Sequence, residues 1–136
     1  MKNKHLEKRY NKTLSFVKKH TSVKDKILDL GTENPFSLIL RKEGYVVENT
    51  KGENLDIDYS AYLDKDVDLI TSFEIFEHML APFNILRELK TEKLIASVPL
   101  KLWFTNAYWN ENDDWDKHYH EFEIKQFNFL LKQSGW

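Results

Sequence analysis

Carboxylates and imidazoles are concentrated in two short segments of the sequence, "FEIFEHM" and "DKHYHEFE". In the first segment, Glu74, Glu77 and His78 are spaced three and four residues apart, so one helical turn would place them on the same side. The second segment supplies His118 and His120. Two carboxylates with one or two imidazoles can bind a divalent metal such as Mg²⁺ or Mn²⁺. The alternative is that the adjacent Glu and His of the first segment hydrogen-bond each other and shape a ligand pocket without a metal.

A second candidate site is the segment "DLGTENPFSLIL", in which a short apolar run is followed by Gly31 and then by a helix-like pattern. Glycine at such a turn allows the backbone to approach a ligand and to adopt a positive φ. Here Glu33 adds a side chain and a negative charge, and Pro35 cannot donate an N–H. The segment therefore indicates either a rebuilt ligand loop, in which Gly31 and Thr32 approach the ligand, or a loop that no longer binds one.

Alternating strand and helix patterns predict the elements that must position these residues. Apolar runs predict five strands, in "KILDLGT", "GYVVEN", "NLDID", "VDLITSF" and "KLIASVPL". Asn34 can cap a helix that ends near Gly44, Pro82 begins another, and "EIKQFNFLLKQ" forms the last. The alternation predicts an α/β fold with a doubly wound, mostly parallel sheet, whose ligands bind beyond the carboxyl ends of the strands. Those ends are followed by residues 30–35, 48–56, 73–82 and 99–121.

The composition is that of a single globular domain over residues 1–136, with 41% apolar and 14% aromatic residues. The absence of cysteine excludes disulfides, thiolate metal sites and cysteine nucleophiles, and it fits a cytoplasmic protein. No apolar run approaches the roughly 20 residues needed to span a bilayer, so we expect no membrane partner.

The N-terminal part of the chain is basic, because residues 1–26 contain nine Lys/Arg and two acids, a net charge of +7 in a chain whose total is −2. Apolar residues recur at helical spacing from Leu6 to Val17, which predicts an amphipathic helix over about residues 4–20 of a basic arm, residues 1–24. Such an arm can contact nucleic acid, but a lysine-rich helix can also simply be solvated, and we favour the second interpretation.

The ordered segments after the basic arm resemble the class I S-adenosylmethionine-dependent methyltransferases, in particular the branch with a Glu-His pair after the fourth strand. In that family the first strand ends in acid-x-Gly-x-Gly-x-Gly, which Asp29 and Gly31 match in part. Asp56 stands where the adenine-contacting acid lies, and Glu77-His78 matches the Glu-His pair. The resemblance covers nearly the whole chain beyond the arm.

This resemblance implies a Rossmann-like sheet that binds S-adenosylmethionine and transfers its methyl group to an unknown acceptor. His78 is the first candidate for a general base and His120 the second, because imidazole titrates near neutral pH. Glu48 and Glu53 are alternative partners for the ribose hydroxyls. The implied cofactor-binding residues are Asp29, Gly31, Thr32, Glu48, Glu53, Asp56, Ile57, Phe73 and Glu77.

Two alternative functions remain open. The missing glycines favour a non-catalytic, methyltransferase-like interaction module that has lost cofactor binding; if the cofactor still binds, Glu33 is expected to weaken binding through backbone strain and charge repulsion. The second alternative is a metal-dependent RNA 3′-end 2′-O-methyltransferase, a group to which the sequence is also similar. Its metal ligands would be Glu74, Glu77, His78 and His120.

The chain ends at Trp136, before the two strands that the family normally places beside the fifth. The fifth strand would then form an open apolar edge, and such edges are usually covered or paired. We expect a homodimer, a C-terminal partner or a longer natural chain to cover it. The aromatic residues of the loop that follows this strand line an acceptor pocket, stack on bases or, as we favour, shield this edge. They are Trp103, Phe104, Tyr108, Trp109, Trp115 and Tyr119.

Overall fold

Four parallel strands form one sheet in the computed structural model, which describes residues 3–136. The strands are β1 (Lys26–Asp29), β2 (Val46–Asn49), β3 (Leu69–Phe73) and β4 (Lys93–Ser97), in the spatial order β2-β1-β3-β4. The helices are α1 (Lys4–His20), α2 (Pro35–Lys42), α3 (Pro82–Glu88) and α4 (Ile124–Gln133). The predicted α/β class and parallel sheet are confirmed.

Helices cover both faces of the sheet because successive strand residues point into two different cores. Leu28 and Ile70 belong to a core that α3 and α4 complete. Ile27 and Leu69, one position earlier in each strand, belong to a second core with Val17 of α1. The sheet is therefore wound on both faces.

The predicted amphipathic helix near the N-terminus is present as α1 and packs directly on the sheet. Val17 is fully buried in the second core, and Tyr10 and Leu14 pack against that core. Its lysines lie on the remaining, exposed face. No helix within residues 3–136 has the length and apolarity required to cross a membrane.

The turn between β1 and α2 forms as its residue types predict. The Asn34 side chain accepts hydrogen bonds from the backbone N–H groups of Phe36 and Ser37, and the Ser37 hydroxyl completes a reciprocal capping box. Pro35 occupies the first turn, where its missing N–H costs nothing. Asn34 and Pro35 thus fix the point at which α2 begins, directly beyond β1.

The prediction of a strand in "NLDID", the third of the five expected along the chain, is wrong. The backbone N–H groups of Ile57 and Asp58 both donate to the Asn54 carbonyl, and the Asn54 side chain accepts from the N–H of Asp56. These local bonds close turns and occupy three consecutive N–H groups, which are then not free for a strand ladder. The expected strand count of five therefore becomes four.

β4 lies at the edge of the sheet and pairs with β3 alone among the strands of residues 3–136. The aromatic loop does not cover this edge as we favoured: Trp103 is 91% exposed, and Phe104 and Trp115 are also well exposed. The Trp103 and Phe104 rings pack against each other, but both remain exposed to solvent. Coverage by a second copy or a partner stays a prediction.

Candidate functional site

Two cavities open side by side at the carboxyl edge of the sheet, where β1 and β3 end. The first cavity has a volume of about 360 Å³ and is lined by α1, the turn after β1 and the turn after β3. The second has a volume of about 330 Å³ and is lined by residues 52–56, the second turn beyond β3 and Trp115. Gly31 and Ile75 line both cavities, so the two spaces meet at this pair. This edge is where ligands of wound parallel sheets bind.

Asp29, the last residue of β1, is held by three side chains beneath the first cavity. Its carboxylate accepts hydrogen bonds from Thr71 Oγ1 at 2.6 Å, Asn49 Nδ2 at 3.0 Å and Asn34 Nδ2 at 3.1 Å. Asp29 is only 1% exposed, and burial raises the pKa of its carboxyl although the three hydrogen bonds oppose the shift. One carboxylate therefore joins β1, β2 and β3 to the start of α2.

Gly31 is the one position of the degenerate loop at which glycine is required. Its φ of +106° lies in the region that L side chains rarely adopt, and an added Cβ would lie 3.1 Å from Cδ1 of Ile75. Its N–H donates to Thr50 Oγ1 at 2.7 Å, which anchors the turn to the end of β2. Gly31 therefore keeps the backbone close to the junction of the two cavities.

The expectation that Glu33 strains the loop and repels an anionic ligand is wrong. Neither Glu33 nor Pro35 has a positive φ. The Glu33 carboxylate forms an ion pair with Arg41 of α2 and lines neither cavity. Because Asn34 caps α2 and Pro35 is its first residue, the two missing glycines are replaced by a helix start.

Asp56 lines the second cavity and also fastens its wall. Its carboxylate accepts hydrogen bonds from the backbone N–H groups of Leu80 at 3.0 Å and Ala81 at 2.8 Å, just before α3. A carboxylate has about four acceptor positions, so Asp56 can accept a further donor from a ligand.

The other predicted cofactor-binding residues fall into two groups. Thr32 and Phe73 line the first cavity, and Glu53 lines the second. Glu48 instead pairs with a lysine at 2.6 Å, and Ile57 is 74% exposed; neither lines a cavity. Of the two candidate ribose acids, the structure therefore brings Glu53 to the cleft and leaves Glu48 outside.

The Glu-His pair lies in a short 3₁₀ turn, Phe76–His78. His78 lines the second cavity, whereas Glu77, predicted to contact the cofactor, is buried behind it and lines neither cavity. Glu77 is 1% exposed, and its Oε1 lies 3.7 Å from His78 Nε2. Burial raises the pKa of Glu77 to about 8, with smaller contributions from the negative charges of Glu74 and Glu121. One donor atom from each of Glu77, His78 and His118 lies within 4.8 Å of the other two.

Glu74 and His120 lie apart from this group. Glu74 accepts a hydrogen bond from Ser97 Oγ at 3.0 Å and lines the first cavity, while His120 Nε2 donates to the Leu80 carbonyl at 3.1 Å. The structure therefore does not gather the four residues that the resemblance implied as metal ligands. Glu74 also has a φ of +58°, which costs a non-glycine residue roughly 1–2 kcal/mol, and such strain concentrates at functional sites.

Some cleft residues, Arg9 and Ile75 among them, escaped the sequence analysis, whereas Trp115 was one of the aromatic residues offered as pocket-lining. Arg9 of α1 lines the first cavity, and its guanidinium carbon lies 5.9 Å from the centroid of the Tyr10 ring. Trp115 lines the second cavity from the aromatic loop, and Ile75 divides the two. Helical spacing places Arg9 beside apolar positions of α1, but only the packing of α1 on the sheet turns it toward the cleft.

Comparisons with models of known protein families and with curated proteins found no match.

Proposed function

We propose that this chain binds S-adenosylmethionine across the two cavities and transfers its methyl group to an acceptor. The observation that carries the proposal is the paired cleft that meets at Gly31 and Ile75 over the carboxyl ends of β1 and β3. Each cavity has the size of a small ligand-binding site. Two adjoining cavities of different polarity suit a ligand with an amino-acid end and a nucleoside end.

The first cavity suits the amino-acid end. Arg9 supplies a guanidinium that matches the geometry of a carboxylate, and Glu74 supplies an anion for an ammonium group. Gly31 lets the backbone approach between them. Asp29 holds this turn in place from below and does not itself need to contact the ligand.

The second cavity suits the nucleoside end. Leu55, Met79 and Trp115 offer apolar surface for a base, Asp56 can accept from an exocyclic amine, and Glu53 can accept from ribose hydroxyls. This assignment prefers Glu53 to Glu48 for the ribose, because only Glu53 lines the cavity.

Bound S-adenosylmethionine supplies an electrophilic methyl group, so the protein mainly has to align the acceptor and remove a proton. His78 lines the second cavity, and its Nδ1 is 2.9 Å from the Lys117 carbonyl. A carbonyl can only accept, so Nδ1 carries the proton and Nε2 of the neutral ring is free to act as a base.

We expect Gly31→Val to weaken the binding of S-adenosylmethionine and S-adenosylhomocysteine at least tenfold, which corresponds to about 1.4 kcal/mol. The added side chain would meet Ile75 and fill the junction of the cavities. Gly44→Val is the matched control: Gly44 has a φ of +99°, but an added Cβ would have no neighbour within 4 Å. Isothermal titration calorimetry on both variants and the wild type checks this.

The wild-type titration decides between the proposal and its rival. Absence of binding of both ligands to the wild type would favour the non-catalytic interaction module. Equal weakening in the Gly31 and Gly44 variants would show that backbone strain, and not the cleft, caused the loss.

We expect Arg9→Gln to weaken both ligands about tenfold, since it removes the charge that faces their carboxylate. Lys8→Gln removes the same charge from the neighbouring position of α1, which lines neither of the two cavities, and should leave affinity unchanged. Adenosine, which has no carboxylate, should bind the wild type and Arg9→Gln equally in a competition titration. An equal loss of adenosine binding would place Arg9 elsewhere than at the amino-acid end.

A further inference from the structure

We infer that Glu77, His78 and His118 form a binding site for a zinc-like divalent cation at the wall of the second cavity. One donor atom of each residue lies within 4.8 Å of the other two, and Glu77 Oε1 and His78 Nε2 are 3.7 Å apart. Ligands about 2.1 Å from a tetrahedral metal are about 3.4 Å from one another. Binding therefore needs only about an ångström of side-chain adjustment.

Both imidazoles are already oriented as metal ligands. His78 Nδ1 donates to the Lys117 carbonyl, and His118 Nδ1 donates to Glu121 Oε1, each at 2.9 Å. With the proton of each neutral ring on Nδ1, both Nε2 atoms keep a free lone pair. A carbonyl or carboxylate behind the ligating ring is the usual outer partner of metal-bound histidine.

The third ligand is a carboxylate with an unused oxygen. Glu77 Oε2 is buried and has no hydrogen-bond partner among residues 3–136. A buried polar atom without a partner costs free energy, which a bound cation would offset.

The aromatic loop is fastened to the same residue that supplies the carboxylate. The backbone N–H groups of Tyr119 and His120 donate to the Glu77 carbonyl, at 2.8 and 3.2 Å. This clamp sets the His118 ring edge-on to the His78 ring, with centroids 4.9 Å apart. The three ligands therefore come from two segments that the backbone itself holds together.

The types of the three ligand atoms indicate which metal ion the site favours. Two imidazole nitrogens and one carboxylate oxygen suit Zn²⁺ and related transition metals, whereas Mg²⁺ prefers an all-oxygen shell. Three protein ligands leave a coordination position open, and His78 places it beside the second cavity. There the metal could hold an acceptor oxygen and His78 would serve as ligand instead of base. This role rests on the proposed function, but metal binding itself does not.

The test is calorimetry of untagged, chelator-treated protein with Zn²⁺ at about pH 8, where the ligands can deprotonate, and without S-adenosylmethionine. We expect one Zn²⁺ per chain with a dissociation constant below about 10 μM. His118→Gln should weaken binding at least tenfold. His120→Gln, two residues away on a side chain outside the group, should keep wild-type affinity.

Histidine NMR provides a second readout that does not depend on a variant folding. Zn²⁺ should shift the ring resonances of His78 and His118 and leave those of His120 unchanged, and millimolar Mg²⁺ should shift none of them. No Zn²⁺ binding, or loss of binding in His120→Gln with retention in His118→Gln, would overturn the inference. Because the zinc measurements are made without S-adenosylmethionine, their outcome does not test the methyl-transfer proposal. That proposal is tested separately by the titration of the wild type with S-adenosylmethionine.

Discussion

Asp29→Ala is expected to lower the free energy of unfolding by about 3 kcal/mol, the largest loss for a single carboxylate of this chain. The change leaves the fully buried Thr71 hydroxyl without its acceptor, and the Asn34 and Asn49 amides each lose one. It also opens a small cavity under the turn after β1. Urea denaturation followed by circular dichroism measures the loss.

Glu33→Ala is the matched control, because it removes a carboxylate from the same turn. Its ion pair with Arg41 lies at the surface, where such pairs contribute about 0–1 kcal/mol. Asp29→Asn separates charge from hydrogen bonding: its amide oxygen can still accept from Asn34 and Asn49, and its NH₂ group can donate to the Thr71 hydroxyl, so we expect a smaller loss than in Asp29→Ala. Equal, small losses in Asp29→Ala and Glu33→Ala would show that Asp29 does not organise the turn.

The sequence predicted those parts of the fold whose physical cause is local. Asn34-Pro35 was enough to place the start of α2, because a cap and a first-turn proline act within one turn of the chain. The strand predicted in "NLDID" failed for an equally local reason. Asn54 closes turns with its backbone and side chain, and that preference outweighed the alternation of Leu55 and Ile57.

The candidate site could be predicted only in part, since a residue type specifies a charged group but not the direction in which its side chain points. Glu33 was placed correctly in the loop, yet Arg41 draws its carboxylate to the surface. The irregular loop offered no periodicity to choose between His118 and His120. Backbone hydrogen bonds from that loop to the Glu77 carbonyl bring the ring of His118, and not that of His120, into the group with Glu77. No spacing in the sequence predicts these hydrogen bonds.

Glu77→Gln is expected to stabilise the protein increasingly as pH rises, when stability is measured in the presence of a chelator. Burial raises the pKa of Glu77 from 4.5 to about 8, so the folded state holds a proton that the unfolded chain releases. The resulting stabilisation of the wild type is complete below about pH 4.5 and is lost as pH rises toward 8. Glutamine does not ionise, so the Glu77→Gln variant keeps this part of its free energy of unfolding at high pH.

The difference in free energy of unfolding between Glu77→Gln and the wild type should therefore grow by about 1.4 kcal/mol per pH unit between roughly pH 5 and 8, reaching about 4 kcal/mol. Urea denaturation at a series of pH values measures it. Glu74→Gln, which removes a partly exposed carboxylate three residues earlier, should keep most of the wild-type slope. Parallel curves for Glu77→Gln and the wild type would mean that the carboxylate is ionised in the folded protein. A positive charge would then have to lie beside the Glu77 carboxylate in the metal-free protein. The carboxylate that we assign to the metal would already be paired with that charge.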